Sequence, residues 1–361
     1  MRGMNPFRPT FGASPHLWAG RQQILTDFAT GLAGGPGDPH RSLVIGGARG
    51  IGKTVLLTEL EDIAISNGWV VLRATGREDT VDTLVNSTIP AKLNELDPPA
   101  KRTVTGVSIA GVGRIDSDVA DHTEPVPTLG LRLRELLALL ETGVMITVDE
   151  VQDADPESLS RLAVTYQDLI RDEANVSLVM AGLTHGIGKL LDLPGTTFLR
   201  RARRYELGPL QDEDVARILT GTSDKPFDDV APAVEIAQGY PYLVQLLGYL
   251  AYARSGERIG AADIAAVRDE CVETMGAQVH HPSLKDVPAA QLAYLHAMAD
   301  GLTSTSDIAE RLGKTPNATT DTRSKLLDRG LIDVAGWGHV QLALPYLAEF
   351  LRGGGRINRI S

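Results

Sequence analysis

The feature that most constrains this chain is a glycine-rich stretch that directly follows the apolar residues Leu43-Val44-Ile45. It matches the pattern G-x-x-x-x-G-K-[ST], and its members are Gly47, Ala48, Arg49, Gly50, Ile51, Gly52, Lys53 and Thr54. Glycines let the backbone curl closely around a phosphate chain and point its N–H groups inward. An ordinary strand-to-helix turn is the alternative, but the strand before the stretch and the amphipathic helix after it favour a phosphate-binding loop.

The loop predicts specific roles for its last two residues. Lys53 is expected to reach the β- and γ-phosphates of ATP, and the Thr54 hydroxyl is expected to bind Mg²⁺. The helix that begins here directs the positive end of its dipole at the anion. We therefore expect ATP and Mg²⁺ as the ligands of this part of the chain.

The size and composition of the chain limit the remaining possibilities. A chain of 361 residues is long for one core, so two or three domains are expected. A formal net charge of −11 argues against a protein coated in basic surface. The single cysteine, Cys271, excludes an internal disulfide and is expected to be buried. We see no secretory signal and no apolar stretch of the roughly 20 residues that a membrane span requires, which favours a cytoplasmic protein.

The order of apolar runs predicts an α/β fold. Strands are expected over residues 43–45, 69–74, 144–148, 176–181 and 205–207, and helices between them imply a mainly parallel sheet covered on both faces. The proline-rich residues 5–12 are expected to be extended and to pack on the main body. Pro90 is expected to interrupt or kink the helix predicted over 80–96. Residues 102–118 are interpreted as an inserted hairpin.

From Gln211 onward the strand signal ends and helical patterns follow. Beyond His280-His281-Pro282 the pattern changes again to three helices, two short strands over 331–334 and 339–342, and a closing helix over 345–351. These changes predict domains at residues 1–210, 211–282 and 283–361.

Two acidic residues, Asp149 and Glu150, end the third predicted strand. Ligands bind at this edge of open parallel sheets, so the pair is expected beside the phosphate-binding loop. There Asp149 would hold Mg²⁺ through its water shell and Glu150 would orient the attacking water. A helix-capping acidic pair is the alternative, which the loop upstream disfavours.

The combination of residues 47–54 with residues 144–150, followed by helical and winged-helix-like segments, resembles the AAA+ class of P-loop ATPases. Within this class it is most similar to the branch of origin-recognition initiators and STAND signalling ATPases. Gly20-Arg21 resembles the G-R box of that branch, which packs near adenine. Gly239-Tyr240-Pro241 resembles its G-x-P element, which places Pro241 at the nucleotide. The resemblance implies a P-loop core, an all-helical lid and a winged helix-turn-helix domain.

The same resemblance implies further residues. Thr184 lies where a sensor residue would contact the γ-phosphate, although a plain loop threonine is equally compatible. Within Arg200-Arg201-Ala202-Arg203-Arg204, Arg200 or Arg201 is expected to be an arginine finger for a neighbouring subunit, which implies self-association. The family has a sensor arginine where this chain has Tyr242. The missing charge favours slow hydrolysis and a switch function.

The C-terminal part carries nine Lys or Arg against eight Asp or Glu, a net charge of +1, whereas the remainder carries −12. This shift favours duplex DNA as a partner, with residues 317–329 as the recognition helix and its polar face, including Thr319, toward a groove. The predicted contacts are Lys314, Arg323, Lys325, Arg329 and Trp337, supported by Arg352, Arg356 and Arg359. The alternatives are a module that binds protein or only packs on the core.

Two rival functions stay open at this point. One is a STAND-like signalling switch whose winged helix holds the nucleotide in an inactive state and binds no DNA. The other is a P-loop kinase, which leaves the helical and winged segments without explanation.

Overall fold

A computed structural model describes residues 4–10, 14–76, 79–98 and 128–353. Its centre is a five-stranded parallel sheet in the order β2-β3-β4-β1-β5. The strands are β1 Ser42–Gly47, β2 Val70–Thr75, β3 Val144–Asp149, β4 Val176–Gly182 and β5 Arg203–Leu207. They confirm the five predicted strands and the parallel sheet. The hairpin predicted over 102–118 lies outside the described residues, as do Arg356 and Arg359.

Helices cover both faces of this sheet, and its central strands are therefore buried on both sides. They are α1 Gln22–Gly34, α2 Lys53–Ser66, α3 Thr80–Thr83, α4 Ile89–Leu96, α5 Leu129–Leu137, α6 Pro156–Arg171 and α7 Thr184–Leu191. A π-helical turn, Leu84–Thr88, separates α3 from α4 directly before Pro90. The predicted interruption at Pro90 is therefore confirmed, since proline cannot donate the hydrogen bond that a continuous helix requires.

A helical segment follows the sheet. It consists of α8 Asp212–Thr222, α9 Ala231–Ala237, α10 Pro241–Arg254, α11 Ala261–Met275 and the short α12 His281–Leu284, with a π-helical turn Gly276–His280 between the last two. The buried face of α11 includes Cys271, whose side chain is fully buried as expected. The helical patterns predicted from Gln211 onward are confirmed.

The C-terminal segment begins with three helices, α13 Ala289–Ala299, α14 Thr305–Arg311 and α15 Pro316–Asp328. The strands β6 Ile332–Gly336 and β7 His339–Leu342 form an antiparallel hairpin, and α16 Leu347–Arg352 follows. One continuous cluster of buried side chains joins part of the sheet, the helical segment and the C-terminal segment. Among the described residues, no helix has both the length and the apolar character needed to cross a membrane.

Candidate nucleotide site

The predicted phosphate loop connects β1 to α2 at the carboxyl edge of the sheet. Gly50 and Gly52 have φ angles of 69° and 95°, which glycine adopts without strain. Helix α2 begins at Lys53, so its free N–H groups and the positive end of its dipole are at the loop. This local geometry fits a bound anion.

Lys53 is buried inside the curve of the loop, with 6% of its surface exposed. Its Nζ donates to the carbonyl oxygens of Gly47 at 3.0 Å and Ala48 at 2.8 Å. Burial lowers the pKa of Lys53, and the carboxylates of Glu150 and Asp149 oppose this shift. The ammonium group is therefore held at the loop by its own backbone.

Asp149 and Glu150 lie beside the loop, as predicted. Thr54 Oγ1 donates to Asp149 Oδ2 at 2.7 Å. Burial raises the pKa of Asp149, and the hydrogen bond from Thr54 opposes the shift. Hydroxyl and carboxylate oxygens are the ligands that Mg²⁺ prefers, so this pair fits that ion.

The backbone of Glu150 is in the left-handed region, with φ 53°, and its N–H donates to Asp149 Oδ1 at 2.9 Å. Gln152 Nε2 donates to Glu150 Oε2 and fixes the direction of the carboxylate. A left-handed glutamate is uncommon and costs conformational free energy. The turn therefore holds the second carboxylate in a defined position next to the first.

A cavity of about 420 Å³ opens on one side of the loop. We call it the loop cavity. Its walls are residues 8–10, 15, 17–19, 21, 49–55, 240–242 and 245, with Glu150, Leu210, Ile218, residues 278–279 and 282–283. Arg21 lines this cavity, and its Nη2 donates to the Gly208 carbonyl at 2.5 Å. Burial lowers the pKa of Arg21, and the Asp214 carboxylate opposes this. Gly20 is adjacent, and a Cβ there would lie 2.7 Å from Asp214 Oδ2.

The start of α10 forms another wall of the loop cavity. Pro241 lies 3.9 Å from the position that a Cβ of Gly52 would occupy, and Tyr242 lines the same cavity. Tyr240 is 2% exposed, and its Oη donates to the Arg49 carbonyl at 2.6 Å. This bond between the helical segment and the phosphate loop is a contact that the sequence did not reveal.

Thr184 lies at a second cavity, of about 780 Å³, on the other side of the loop. We call it the junction cavity; it separates residues 47–51, 183–188 and 206–209 from residues 327–348 of the C-terminal segment. Thr184 Oγ1 donates to Glu206 Oε1. The role of Thr184 as a phosphate sensor stays a prediction, since its hydroxyl is committed to a carboxylate in this structure.

Arg200 and Arg201 lie far from the loop of their own chain. In the pairing of β5 with β1, Arg203 is opposite Leu43 and Leu207 is opposite Gly47, so the residues before β5 are at the other edge of the sheet. Arg200 donates to the Leu191 carbonyl at 3.2 Å and pairs with Asp192 at 3.1 Å. The structure does not bring either arginine to the phosphate loop, and a finger role requires a second copy of the chain.

The predicted DNA contacts are only partly exposed. Lys314 and Lys325 are exposed, and Lys325 pairs with Asp321 at 2.8 Å. Trp337 is fully exposed at the tip of the hairpin. Arg323 and Arg329 are half-buried.

Thr319 was expected on the exposed face of α15, and this is wrong. It is 3% exposed, and its Oγ1 donates to the Pro316 carbonyl at 2.9 Å. Thr319, Arg323 and Leu326 recur at spacings of four and three residues, which places them on one face of the helix. Because Leu326 is in the core, that face points inward and half-buries Arg323.

The end of α15 packs on the N-terminal part of the chain. His185 Nε2 lies 2.6 Å from Asp328 Oδ1, and Lys189 Nζ lies 2.9 Å from Asp328 Oδ2. Arg49 Nε donates to the Arg329 carbonyl at 3.3 Å. The C-terminal segment is therefore attached both to α7 and to the phosphate loop.

Comparison with known proteins agrees with this geometry. Residues 17–179 match the family described as AAA ATPase domain, and residues 277–351 match a domain of unknown function (DUF8462). No curated protein gives a significant match. Residues 17–179 are thus similar to AAA ATPase domains, and this match together with the loop geometry supports an AAA+ P-loop ATPase fold in this part of the chain.

Two solved structures show the same fold over nearly the whole chain. The Walker-type ATPase PABY2304 of Pyrococcus abyssi is 17% identical with a TM-score of 0.61, covering 92% of this chain and 95% of that one. The Aeropyrum pernix ORC2 protein, in ADPNP-ADP complexes, is 14% identical with a TM-score of 0.56, covering 98% of both chains. At these identities the likeness concerns the fold.

Proposed function

We propose that this protein is an ATP-binding AAA+ ATPase that hydrolyses ATP slowly and acts as a nucleotide-controlled switch. The observation that carries the proposal is the bond from Thr54 Oγ1 to Asp149 Oδ2 at 2.7 Å, next to the buried Lys53. A hydroxyl, a carboxylate and an ammonium group at one helix N-terminus suit a nucleoside triphosphate with Mg²⁺. The fold is also that of a protein solved with ADPNP and ADP.

Each residue of the site would have a separate task. Lys53 binds the β- and γ-phosphates, and the backbone of residues 47–52 surrounds them. Thr54 and Asp149 hold the Mg²⁺ that neutralises phosphate charge. Glu150 orients the water that attacks the γ-phosphate.

Two features support a slow reaction. The α10 wall of the loop cavity carries Tyr242 instead of a charged residue, so this helix itself contributes no positive charge to the transition state. Arg200 and Arg201 lie at the opposite edge of the sheet, so any finger contribution depends on self-association.

The direct test is titration calorimetry with Mg²⁺-ATP, followed by phosphate release on the same sample. We expect the wild-type chain to bind ATP and release phosphate without a phosphorylated acceptor, which also separates an ATPase from a kinase. Lys53→Ala should abolish both. Lys92→Ala, which changes a half-buried lysine paired with Glu95, should change neither. Unchanged binding by Lys53→Ala would refute the proposal.

We further propose that residues 283–361 form a winged helix that binds duplex DNA under nucleotide control, after a core of residues 1–210 and a lid of residues 211–282. The order of three helices, a hairpin and a closing helix supports this. Lys314, Lys325 and Trp337 are exposed for contact, and Arg323 and Arg329 would contribute from half-buried positions. The origin-recognition branch is the proposed relative.

Fluorescence anisotropy with duplex DNA, with and without ATP, tests this second part. Lys314→Ala with Lys325→Ala should weaken binding and reduce its salt dependence by a slope of about two, since each phosphate contact contributes roughly one unit. Arg254→Ala, an exposed charge at the end of α10, is the control. Absence of binding at low salt in every nucleotide state would exclude DNA as a partner.

A STAND-like switch is a second candidate, and the contacts of Asp328 favour it. His185 and Lys189 of α7 bind Asp328 at the C-terminal end of α15. This part of α15 would have to be free for the helix to enter a groove of DNA. If docking only blocks DNA, Asp328→Asn should strengthen DNA binding. If the C-terminal segment is regulatory, the variant should change nucleotide affinity and DNA should stay unbound.

A further inference from the structure

The N-terminal residues 5–10, which we call the strap, lie along one face of α10. Phe7 is 2% exposed and packs on Gly248, where a Cβ would lie 2.4 Å from its ring. Asn5 Nδ2 donates to the Tyr249 carbonyl at 2.9 Å, and the Arg8 backbone N–H donates to Gln245 Oε1 at 3.0 Å. The strap is therefore fixed to α10 at three successive points.

The direction of the strap leads toward the phosphate loop. Its contacts with α10 pass from Tyr249 through Gly248 to Gln245, and the helix begins at Pro241 beside Gly52. Gln245 is four residues from that start, or about 6 Å along the axis. Arg8 is thus placed in the wall of the loop cavity that also contains Lys53 and Thr54.

The other cations of this cavity already have partners. Lys53 donates to two carbonyls of its own loop, Arg21 donates to the Gly208 carbonyl, and Arg49 Nε donates to the Arg329 carbonyl. Within the described part of the chain, no hydrogen bond or ion pair engages the Arg8 side chain. Arg8 is exposed, and the described residues use none of its five guanidinium N–H donors, so these donors suit a ligand.

The α10 wall of the cavity, formed by Pro241, Tyr242 and Gln245, has no charge of its own. A bound triphosphate brings several negative charges close to the carboxylate of Glu150. An additional cation at the α10 wall therefore lowers the electrostatic cost of binding ATP. Guanidinium binds phosphate oxygens in a bidentate manner.

We propose that Arg8 binds the γ-phosphate of ATP, and so supplies from the N-terminus the positive charge that α10 lacks. The inference rests on the proposed function, because it requires ATP in the loop cavity. Since the backbone of Arg8 is bonded to Gln245, the contact connects the terminal phosphate to the position of α10. ATP and ADP would then hold the helical segment differently.

Calorimetry with Mg²⁺-ATP, Mg²⁺-ADP and adenosine on the full chain tests this. Arg8→Ala should weaken ATP binding about tenfold or more, the effect of losing one charge-assisted hydrogen bond or more. ADP should lose less than threefold and adenosine should be unaffected. Arg8→Lys should lie between wild type and Arg8→Ala, because lysine keeps the charge but loses the bidentate geometry.

Two further variants complete the design. Arg254→Ala removes an exposed charge from the far end of α10 and should leave all three affinities unchanged. Phe7→Ala detaches the strap but keeps Arg8, and it should show the same selective loss of ATP affinity relative to ADP as Arg8→Ala. Thermal unfolding should confirm that both variants are folded.

Wild-type ATP affinity in Arg8→Ala would overturn the inference while leaving the proposed function standing. Equal losses for ATP, ADP and adenosine would also overturn it, since they would show a change in cavity shape. A wild-type chain that binds none of the three ligands would overturn both proposals.

Discussion

The two cavities on either side of the phosphate loop share Ile51 and Tyr240 but differ in charge. The charged residues of the loop cavity are four cations and one carboxylate: Arg8, Arg21, Arg49, Lys53 and Glu150. Those of the junction cavity are Glu206 and Asp333, with His185, and no lysine or arginine lines it among the described residues. A phosphate chain is therefore attracted to one side of the loop and repelled from the other.

The two carboxylates of the junction cavity, Glu206 and Asp333, repel each other. Burial, and to a smaller extent the Glu206 carboxylate, raise the pKa of Asp333. The two residues belong to different strands, β5 and β6, and both line this cavity. The loop cavity is therefore the side of the loop whose charges suit an anionic ligand, and the junction cavity lies between the loop and the C-terminal segment.

The largest expected effect is a difference in ATP hydrolysis rate between variants of the carboxylates in the two cavities. Glu150→Gln should lower the rate of ATP hydrolysis about a hundredfold or more while ATP binding persists, because a positioned general base contributes about 10²–10⁴. Glu206→Gln removes the same charge from the junction cavity. Steady-state phosphate release should fall by less than about tenfold in that control, as expected for a group outside general-base catalysis. Equal losses in the two variants would break the distinction between the cavities.

A smaller effect is expected at His280, which contacts Pro345 in the wall of the junction cavity. Its ring donates to the Pro345 carbonyl at 2.8 Å and packs on Phe350, and burial lowers the pKa of His280 to about 4. The folded chain keeps this ring neutral, whereas the unfolded chain protonates it below about pH 6.5. The contribution of the neutral His280 ring to the free energy of unfolding is therefore fully present above pH 6.5 and is lost as the pH falls toward 4.

The loss at His280 should reach up to about 3 kcal/mol, at roughly 1.4 kcal/mol for each pKa unit. Urea unfolding at several pH values should show a flatter profile for His280→Gln than for wild type over this window. The exposed neighbour His281, changed to Gln, should keep the wild-type slope. A His280→Gln profile as steep as that of wild type would contradict the prediction.

The smallest effect concerns Tyr240, which both cavities share. Tyr240→Phe removes the bond to the Arg49 carbonyl and should lower the free energy of unfolding by about 1 kcal/mol. Tyr249→Phe, on the same helix and exposed, should change it by less than about 0.5 kcal/mol. If the two variants have equal stability, the hydroxyl does not join the helical segment to the loop.

Much of the fold could be predicted from local pattern. The strands β1 to β5 are apolar runs between turn residues, and a buried parallel sheet requires such runs. The positions of Lys53, Thr54, Asp149 and Glu150 also follow from local rules, because a loop motif and a strand end fix them.

The remaining features depend on residues that are distant in the sequence. Tyr240 and Arg49 are 191 positions apart, and Arg8 and Gln245 are 237 apart, so no periodicity predicts their contact. Thr319 misled the prediction because a polar side chain on a short helix suggests exposure. Its hydroxyl bonds locally to Pro316, which lets it face the core with Leu326.

The contact between Gly50 and Tyr240 has a mechanical consequence. A Cβ on Gly50 would lie 1.8 Å from Tyr240 Oη, and the φ of 69° adds backbone strain for any other residue. Gly50→Ala would therefore displace the Tyr240 hydroxyl and break its bond to the Arg49 carbonyl. One methyl group would thus loosen the helical segment from the loop while every charge of the loop cavity is kept.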